Sequence, residues 1–257
     1  MRETFIKEFV KVQLNNPILI EGLPGLGIVG RIATRYLIKQ LKAEKLAFLY
    51  SPHFPYFVLV SKKGSVRLLR GAFYFWKRKG GNNDLMFFTG DSQAQTIEGQ
   101  YEISDRILDF AKHHGVKLIV TIGGYRMEVT DKPRVIAAAT NFELLGRAIQ
   151  AKAITSPMGS PIVGTAGLIL GLARFRKIDA LCLLGETRGY LPDPKAAKSV
   201  LEVLKAILSL DVDLTGLDEE IAKAERMVSR LQKIEEKRTL QAEEIRKEED
   251  KKITYIS

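Results

Sequence analysis

At 257 residues, 46% hydrophobic and 27% charged, the chain has an ordinary globular composition and is long enough for one large domain plus an appendage. No apolar run approaches the ~20 residues that a bilayer requires, which excludes a membrane-spanning helix, and Met1 to Lys11 alternates charged with bulky apolar residues, unlike a signal peptide. The formal net charge is +10, but Asp218 to Ser257 holds ten Lys/Arg against eleven Asp/Glu, so the rest of the chain carries an excess of +11. A positive body points to an acidic partner surface, either nucleic acid or an acidic protein.

In chain order, Pro17 to Ile20 reads as a short apolar strand, followed by a glycine-rich turn and a helix with basic outer positions over Ile28 to Leu41. Leu46 to Tyr50 and Tyr56 to Val60 read as strands. Lys62-Lys63-Gly64 forms a hairpin tip, with Val66 to Trp76 as the returning strand. A polar turn, Gly80 to Asp84, leads to the strand Leu85 to Thr89. Helices over Ile97 to His113, Asn141 to Ala151, Thr165 to Phe175 and Asp193 to Leu208 then interleave with strands over Lys117 to Ile122 and Ala180 to Leu184. This alternation predicts an α/β fold: a mostly parallel, mixed sheet covered by helices, with an antiparallel portion early in the chain. Cys182, the single cysteine, lies in an apolar strand pattern and reads as a core side chain; one thiol forms no internal disulfide, which fits a reducing cytoplasm.

The composition changes after Gly216, which sets the expected boundary between a body over 1–216 and an arm over 217–257. Leu217, Ile221, Ala224, Val228 and Leu231 are spaced four, three, four, three, an a/d seam suited to packing the arm or joining copies. Beyond Ile234 the sequence is rich in Glu, Lys and Arg, with high helix propensity and little core-forming capacity. A helix from Asp218 to Asp250 would be about 50 Å long. After Lys251-Lys252 the chain turns apolar again, and Ile253, Tyr255 and Ile256 form a candidate docking tip.

Gly25-Leu26-Gly27-Ile28-Val29-Gly30 matches G-x-G-x-x-G between a strand and a helix, the context of a dinucleotide fingerprint. The following strand runs into Ser51-Pro52, so the usual acidic ribose acceptor is missing, and Pro24 stiffens the turn. Gly22, Gly25, Gly27 and Gly30 are therefore read as a structural loop that brings strand and helix close, with no cofactor. Gly90-Asp91-Ser92-Gln93 is similar to a lipase nucleophile block, but no histidine follows His114 to serve as the base. His113 and His114 are adjacent and point about 100° apart on a helix, so they cannot share a metal and instead read as a polar helix terminus. The segment Arg70 to Lys79 mixes aromatic with basic residues as nucleic-acid surfaces do, yet its two-sided apolarity reads more simply as a strand buried on both faces. Gly123-Gly124-Tyr125-Arg126, Gly159 to Gly167 and Gly185 to Tyr190 would gather at the carboxyl ends of the strands, joined by Thr130 to Arg134, and outline a cleft without a catalytic set.

Taken together, three blocks resemble the second-type proteasome-assembly chaperone (PAC2-like) family, in its archaeal branch. They are Gly22 to Gly30, Val135 to Asn141, and Leu183 to Tyr190 with Asp193 to Ala197; the resemblance spans about Ile18 to Leu217. The resemblance implies a nucleoside-phosphorylase-like sheet, homo-oligomers, binding to proteasome α-subunits and no catalysis. It also brings in a second homologous chaperone as a further candidate partner, and neither membrane nor nucleic acid. Some family members dock C-terminal tails ending in a hydrophobic–tyrosine–any motif between α-subunits; here Tyr255 stands third from the end, which approximates that motif. The rival expectation is an enzyme acting on a nucleoside or other small molecule in the glycine-lined cleft.

Overall fold

The computed structural model describes residues 1–81, 83–129 and 132–230. Its strands are β1 (Phe5–Glu8), β2 (Ile18–Glu21), β3 (Glu44–Tyr50), β4 (Val58–Val60), β5 (Val66–Leu68), β6 (Gly71–Trp76), β7 (Leu85–Gly90), β8 (Leu118–Arg126), β9 (Val135–Ala139), β10 (Ile154–Thr155) and β11 (Asp179–Thr187). Its helices are α1 (Val29–Gln40), α2 (Ile97–His113), α3 (Phe142–Gln150), α4 (Thr165–Ala173) and α5 (Pro194–Leu208). Nine strands form one sheet in the order β1-β3-β6-β7-β2-β8-β11-β9-β10, while β4 and β5 pair by themselves. The centre, β7-β2-β8-β11, is parallel; β1, β3, β6 and β9 add antiparallel ladders. The mixed, helix-covered α/β sheet expected from the alternation is what forms.

Successive strand residues face opposite sides, so Leu19, Ile119 and Ala180 line one face. There they pack with Ile103, Ile107 and Ala111 of α2 and Ile169 and Ala173 of α4. Helices α1, α3 and α5 cover the other face. Phe73 anchors the first layer, its ring 4.5 Å from those of Phe88 and Phe110. Each such buried aromatic contributes several kcal/mol through the area it removes from water. The helix starts are legible in the sequence: Thr96, Asn141 and Asp193 accept backbone N–H bonds from Gly99, Leu144 and Ala196, with Pro194 opening α5.

Four expectations need correction. The strand expected over Val66 to Trp76 breaks at Leu69-Arg70, because β5 pairs with β4 whereas β6 joins the large sheet. Phe73 and Phe75 are buried but Tyr74 and Trp76 are half-buried, so β6 is apolar mainly on one side. Gly123, Gly124 and Gly185 lie within strands rather than in loops beyond them: the β8–β11 ladder runs on to Arg126 and Thr187. Finally, β9 and β1, which carry no clean apolar alternation, are additional strands.

The chain divides into two compact units, 1–214 and 215–257. In the second, residues 216–230 are helical; Leu217 is buried and Ile221, Ala224 and Val228 are half-buried, while the residues around them are exposed. The described part of the spaced seam therefore lies on one face. Leu231, Ile253, Tyr255 and Ile256 lie outside the described residues, as do Thr130 and Asp131.

Candidate functional site

Strand β2 ends at Glu21, and the chain crosses into α1 through the glycine loop. A Cβ on Gly22 would come within 2.2 Å of both Gly30 O and Thr34 Oγ1, and one on Gly30 within 2.2 Å of Ile122 O. Helix α1 thus lies against β2 and β8 at a distance that no side chain permits. Gly27 (φ 58°) and Ile28 (φ 44°) both occupy the left-handed region, which is costly for a β-branched residue. By contrast, a Cβ on Gly25 would meet only Gln93 Nε2, at 3.5 Å.

Backbone groups at Pro24, Gly25, Gly27 and Ile28 are bonded within the protein. Gly27 N–H donates to Gly189 O (3.2 Å), Asp193 N–H to Gly27 O (2.9 Å) and Ile28 N–H to Gly25 O (2.9 Å). Gln93 Nε2 donates to Pro24 O at 2.7 Å. Gly124 and Gly189 make room for Leu26, which lies over the sheet. A dinucleotide site needs free N–H groups at this turn and a parallel strand beside β2 after the crossover. Here the crossover leads to β3, three places away in the sheet, and the neighbours of β2 are β7 and β8.

The other two glycine-bearing blocks converge on the same edge. Thr187 Oγ1 donates to Asp193 Oδ2 (2.7 Å) and accepts from Gly189 N–H (3.1 Å). Glu186, 4% exposed, accepts from Arg134 N–H (3.0 Å) and Nε (2.9 Å). Burial alone would raise the pKa of Glu186, but these bonds and the guanidinium charge hold it below the usual carboxylate range. On the opposite face Gln93 Oε1 accepts from Thr165 N–H (3.1 Å), and Thr165 Oγ1 donates to Gln100 Oε1 (2.9 Å), tying the start of α4 to α2.

Beneath this edge, Glu21 is fully enclosed. Its Oε1 accepts from Leu23 N–H (3.1 Å) while Oε2 has no partner among the described residues. Burial pushes its pKa up to about 8 despite the Leu23 bond, so the carboxyl is neutral at pH 7. In register with it, Thr121 pairs with Glu21 and Cys182 pairs with Thr121 across the ladder. The Cys182 thiol is pushed up to about 12 by burial, partly offset by Thr121, and is an inert core group.

Catalytic combinations do not assemble from the residues singled out in the sequence. Ser92 Oγ donates to Gln93 O. The His53 ring is instead held between Thr96 Oγ1 (2.9 Å at Nδ1) and Glu102 Oε2 (3.0 Å at Nε2). That Thr96–His53–Glu102 series went unseen in the sequence, where its members are far apart; its hydroxyl also accepts from Gly99 N–H as the cap of α2. His113 ends α2, and His114 packs edge-on against Phe110 with Nε2 3.3 Å from Glu8 Oε1. Among the described residues no cluster of His, Cys, Asp and Glu could hold a metal ion, and no helix is long and apolar enough to cross a membrane.

Comparison with known proteins follows the same blocks. A model described as the PAC2 family matches residues 19–232. The crystal structure of Pyrococcus furiosus PbaB, described as an archaeal proteasome activator, superposes with a TM-score of 0.86. It is 39% identical and covers 90% of this chain and 100% of its own. Pyrococcus furiosus PbaA, described as an archaeal homolog of proteasome-assembly chaperone, superposes at 0.75 with 25% identity, covering 99% and 100%. An uncharacterized protein of Methanocaldococcus jannaschii is 32% identical over 95% of this chain and 93% of its own length.

Proposed function

Because this chain belongs to the PAC2 family, we propose that it is a non-enzymatic chaperone of proteasome assembly that forms homo-oligomers in the cytoplasm and binds α-subunits of the core proteasome. The observation that carries this reading is the match over 99% of this chain to PbaA, described as an archaeal homolog of proteasome-assembly chaperone; the match to PbaB, described as a proteasome activator, supports the link to the proteasome. The body would be a nucleoside-phosphorylase-like sheet, and the segment 217–257 an arm that reaches the partner. Several arms on one oligomer raise the effective concentration of the second contact, so weak single contacts sum to firm binding. A second homologous chaperone could share the oligomer.

Two features support binding over catalysis. At the carboxyl edge the glycine loop is bonded within the chain: Gly27 N–H donates to Gly189 O, and Asp193 N–H to Gly27 O. The body's excess of +11 charges suits an acidic protein surface. The rival, an enzyme acting on a nucleoside or small molecule, would need that edge to open. Size-exclusion chromatography with light scattering on the full chain, with and without purified α-subunits, tests the proposal. Co-migration is expected; separate elution at micromolar concentrations overturns it.

A further inference from the structure

At the amino ends of β2 and β7, away from the glycine blocks, a cavity of about 350 Å³ opens beside α3 and the end of α5. That volume lies within the ~300–1,000 Å³ range of ligand clefts. Arg78 and Arg147 both line it, and both are fixed by carbonyls at the end of α5. Arg78 Nη1 donates to Leu208 O (3.1 Å), its Nη2 to Ser209 O, and Arg147 Nη2 to Ile207 O (3.1 Å). Arg78 is also held at its base. Its backbone N–H donates to Asp84 Oδ1 (2.9 Å), while Asp84 Oδ2 accepts from Asn15 N–H (2.8 Å). A Cβ on Gly81 would come within 2.4 Å of Arg78 Cδ, so this glycine leaves room for the arginine stem. A carbonyl positions a guanidinium without neutralising it. Arg67, Arg106, Arg134, Arg176 and Arg188 each pair with a carboxylate, whereas among the described residues Arg78 and Arg147 pair with none.

We propose that this cavity binds an organic carboxylate on an apolar body, either a free carboxylic acid or the carboxyl-terminal residue of a peptide. The site is independent of the chaperone reading. Each guanidinium carries five N–H donors, of which the carbonyls take two from Arg78 and one from Arg147. Two arginines held side by side in this way offer a carboxylate charge-assisted bonds at little ordering cost. The walls select the rest of the ligand. Ile18, Leu85 and Ile207 also line the cavity, which suits a carbon body better than a hydrated ion. Charge disfavours phosphate. The end of α5 places partial negative charge and three carbonyl oxygens at the cavity, with the Asp84 carboxylate behind Arg78. A phosphate dianion meets more of that repulsion than a single carboxylate does.

The test uses the full chain and saturation-transfer NMR. The probes are N-acetyl-leucine and N-acetyl-leucinamide, which keeps the body and removes the charge; inorganic phosphate is read as a competitor. N-Acetyl-leucine is expected to bind with a Kd on the order of 1 mM, the level that a ligand of about a dozen heavy atoms reaches. The amide and phosphate are each expected to bind at least about 10-fold more weakly. Arg147→Gln, with unchanged Tm, is expected to weaken the acid at least about 10-fold. Arg78 also secures the end of α5, so it is probed by Arg78→Lys, which keeps the charge and loses the fork; a loss of at least about 3-fold is expected. Should Arg147→Gln lower the Tm, Arg78→Lys carries the test alone. The tetrapeptide Ala-Ala-Ala-Leu with a free carboxyl terminus separates the two sources. A Kd at least about 10-fold below that of N-acetyl-leucine marks a peptide end, and an equal or higher one marks a free acid. No saturation transfer to N-acetyl-leucine at about 20 mM, equal Kd for acid and amide, or phosphate binding as tightly as the acid each overturns the proposal. An unchanged Kd in the arginine variants overturns it as well, because the two side chains would then serve only the end of α5.

Discussion

Two glutamates on β2 and β11, the strands that flank β8, show opposite electrostatics. Glu186 has Arg134 against both carboxylate oxygens and is held below the usual carboxylate range. Glu21 accepts one backbone N–H and is fully buried, and the burial pushes it up to about 8. For Glu21 the sign follows directly. Below pH ~4 both folded and unfolded chains hold the proton, and the residue has no effect on stability. Between pH ~4.5 and 8 the unfolded chain releases a proton that the folded chain keeps, so stability falls by up to ~1.4 kcal/mol per pH unit, then levels off. Glu21→Gln removes that loss. The variant is expected to match wild type near pH 4 and to exceed it by on the order of 3 kcal/mol at pH 7, measured by urea unfolding across pH. Parallel pH profiles for the two proteins would mean that Glu21 is ionised in the fold and has a partner yet to be identified.

At the scale of elements, the glycine loop separates a packing role from a ligand role. Gly30→Ala would ordinarily favour a helix by about 1 kcal/mol. Here the added methyl meets a backbone oxygen at 2.2 Å, which cannot swing away as a side chain would. Gly25→Ala meets only the end of Gln93. The expected result is a fall in Tm of at least about 10 °C, or insolubility, for the first and about 1 °C for the second, with millimolar nucleotides shifting neither. A several-degree rise with any nucleotide, or a large loss for Gly25→Ala, would make the loop a binding site. The elements legible in the sequence were those with clean periodicity and caps: α2 behind Thr96, α5 behind Asp193, and the apolar runs of β2, β7 and β11. Strand β9 escaped because Val-Ile-Ala-Ala-Ala has no alternation, and its place between β11 and β10 depends on pairing. Gly123, Gly124 and Gly185 read as loop in the sequence because a strand glycine shows its reason only when Leu184, Leu26 or α5, respectively, packs against it. The Glu186–Arg134 pair spans 52 residues and the His53–Glu102 pair 49, separations that no local pattern reports.

For the whole molecule, the proposed function divides labour between a body that assembles and an arm that binds. The seam at Leu217, Ile221 and Val228 belongs to the near end of the arm, where the described residues form one less-exposed stripe. Beyond it the composition is dominated by Glu, Lys and Arg, which favours solubility over packing, and Ile253, Tyr255 and Ile256 supply the concentrated apolar chemistry. Burying a tyrosine and two isoleucines in a pocket yields several kcal/mol, less the cost of ordering the segment. Removing residues 253–257 is therefore expected to leave oligomer mass unchanged and Tm within about 1 °C, while weakening α-subunit binding at least about 10-fold. Tyr255→Ala should reproduce much of that loss, because a pocketed aromatic concentrates binding energy. Titration of α-subunits against the full chain, the truncated chain and the point variant, at one ionic strength, separates the alternatives. If truncation weakens binding but the salt dependence stays the same, the tip docks through apolar burial. Should the truncated chain bind as tightly as the full one, the contact must lie on the basic body, and affinity should then fall steeply with salt.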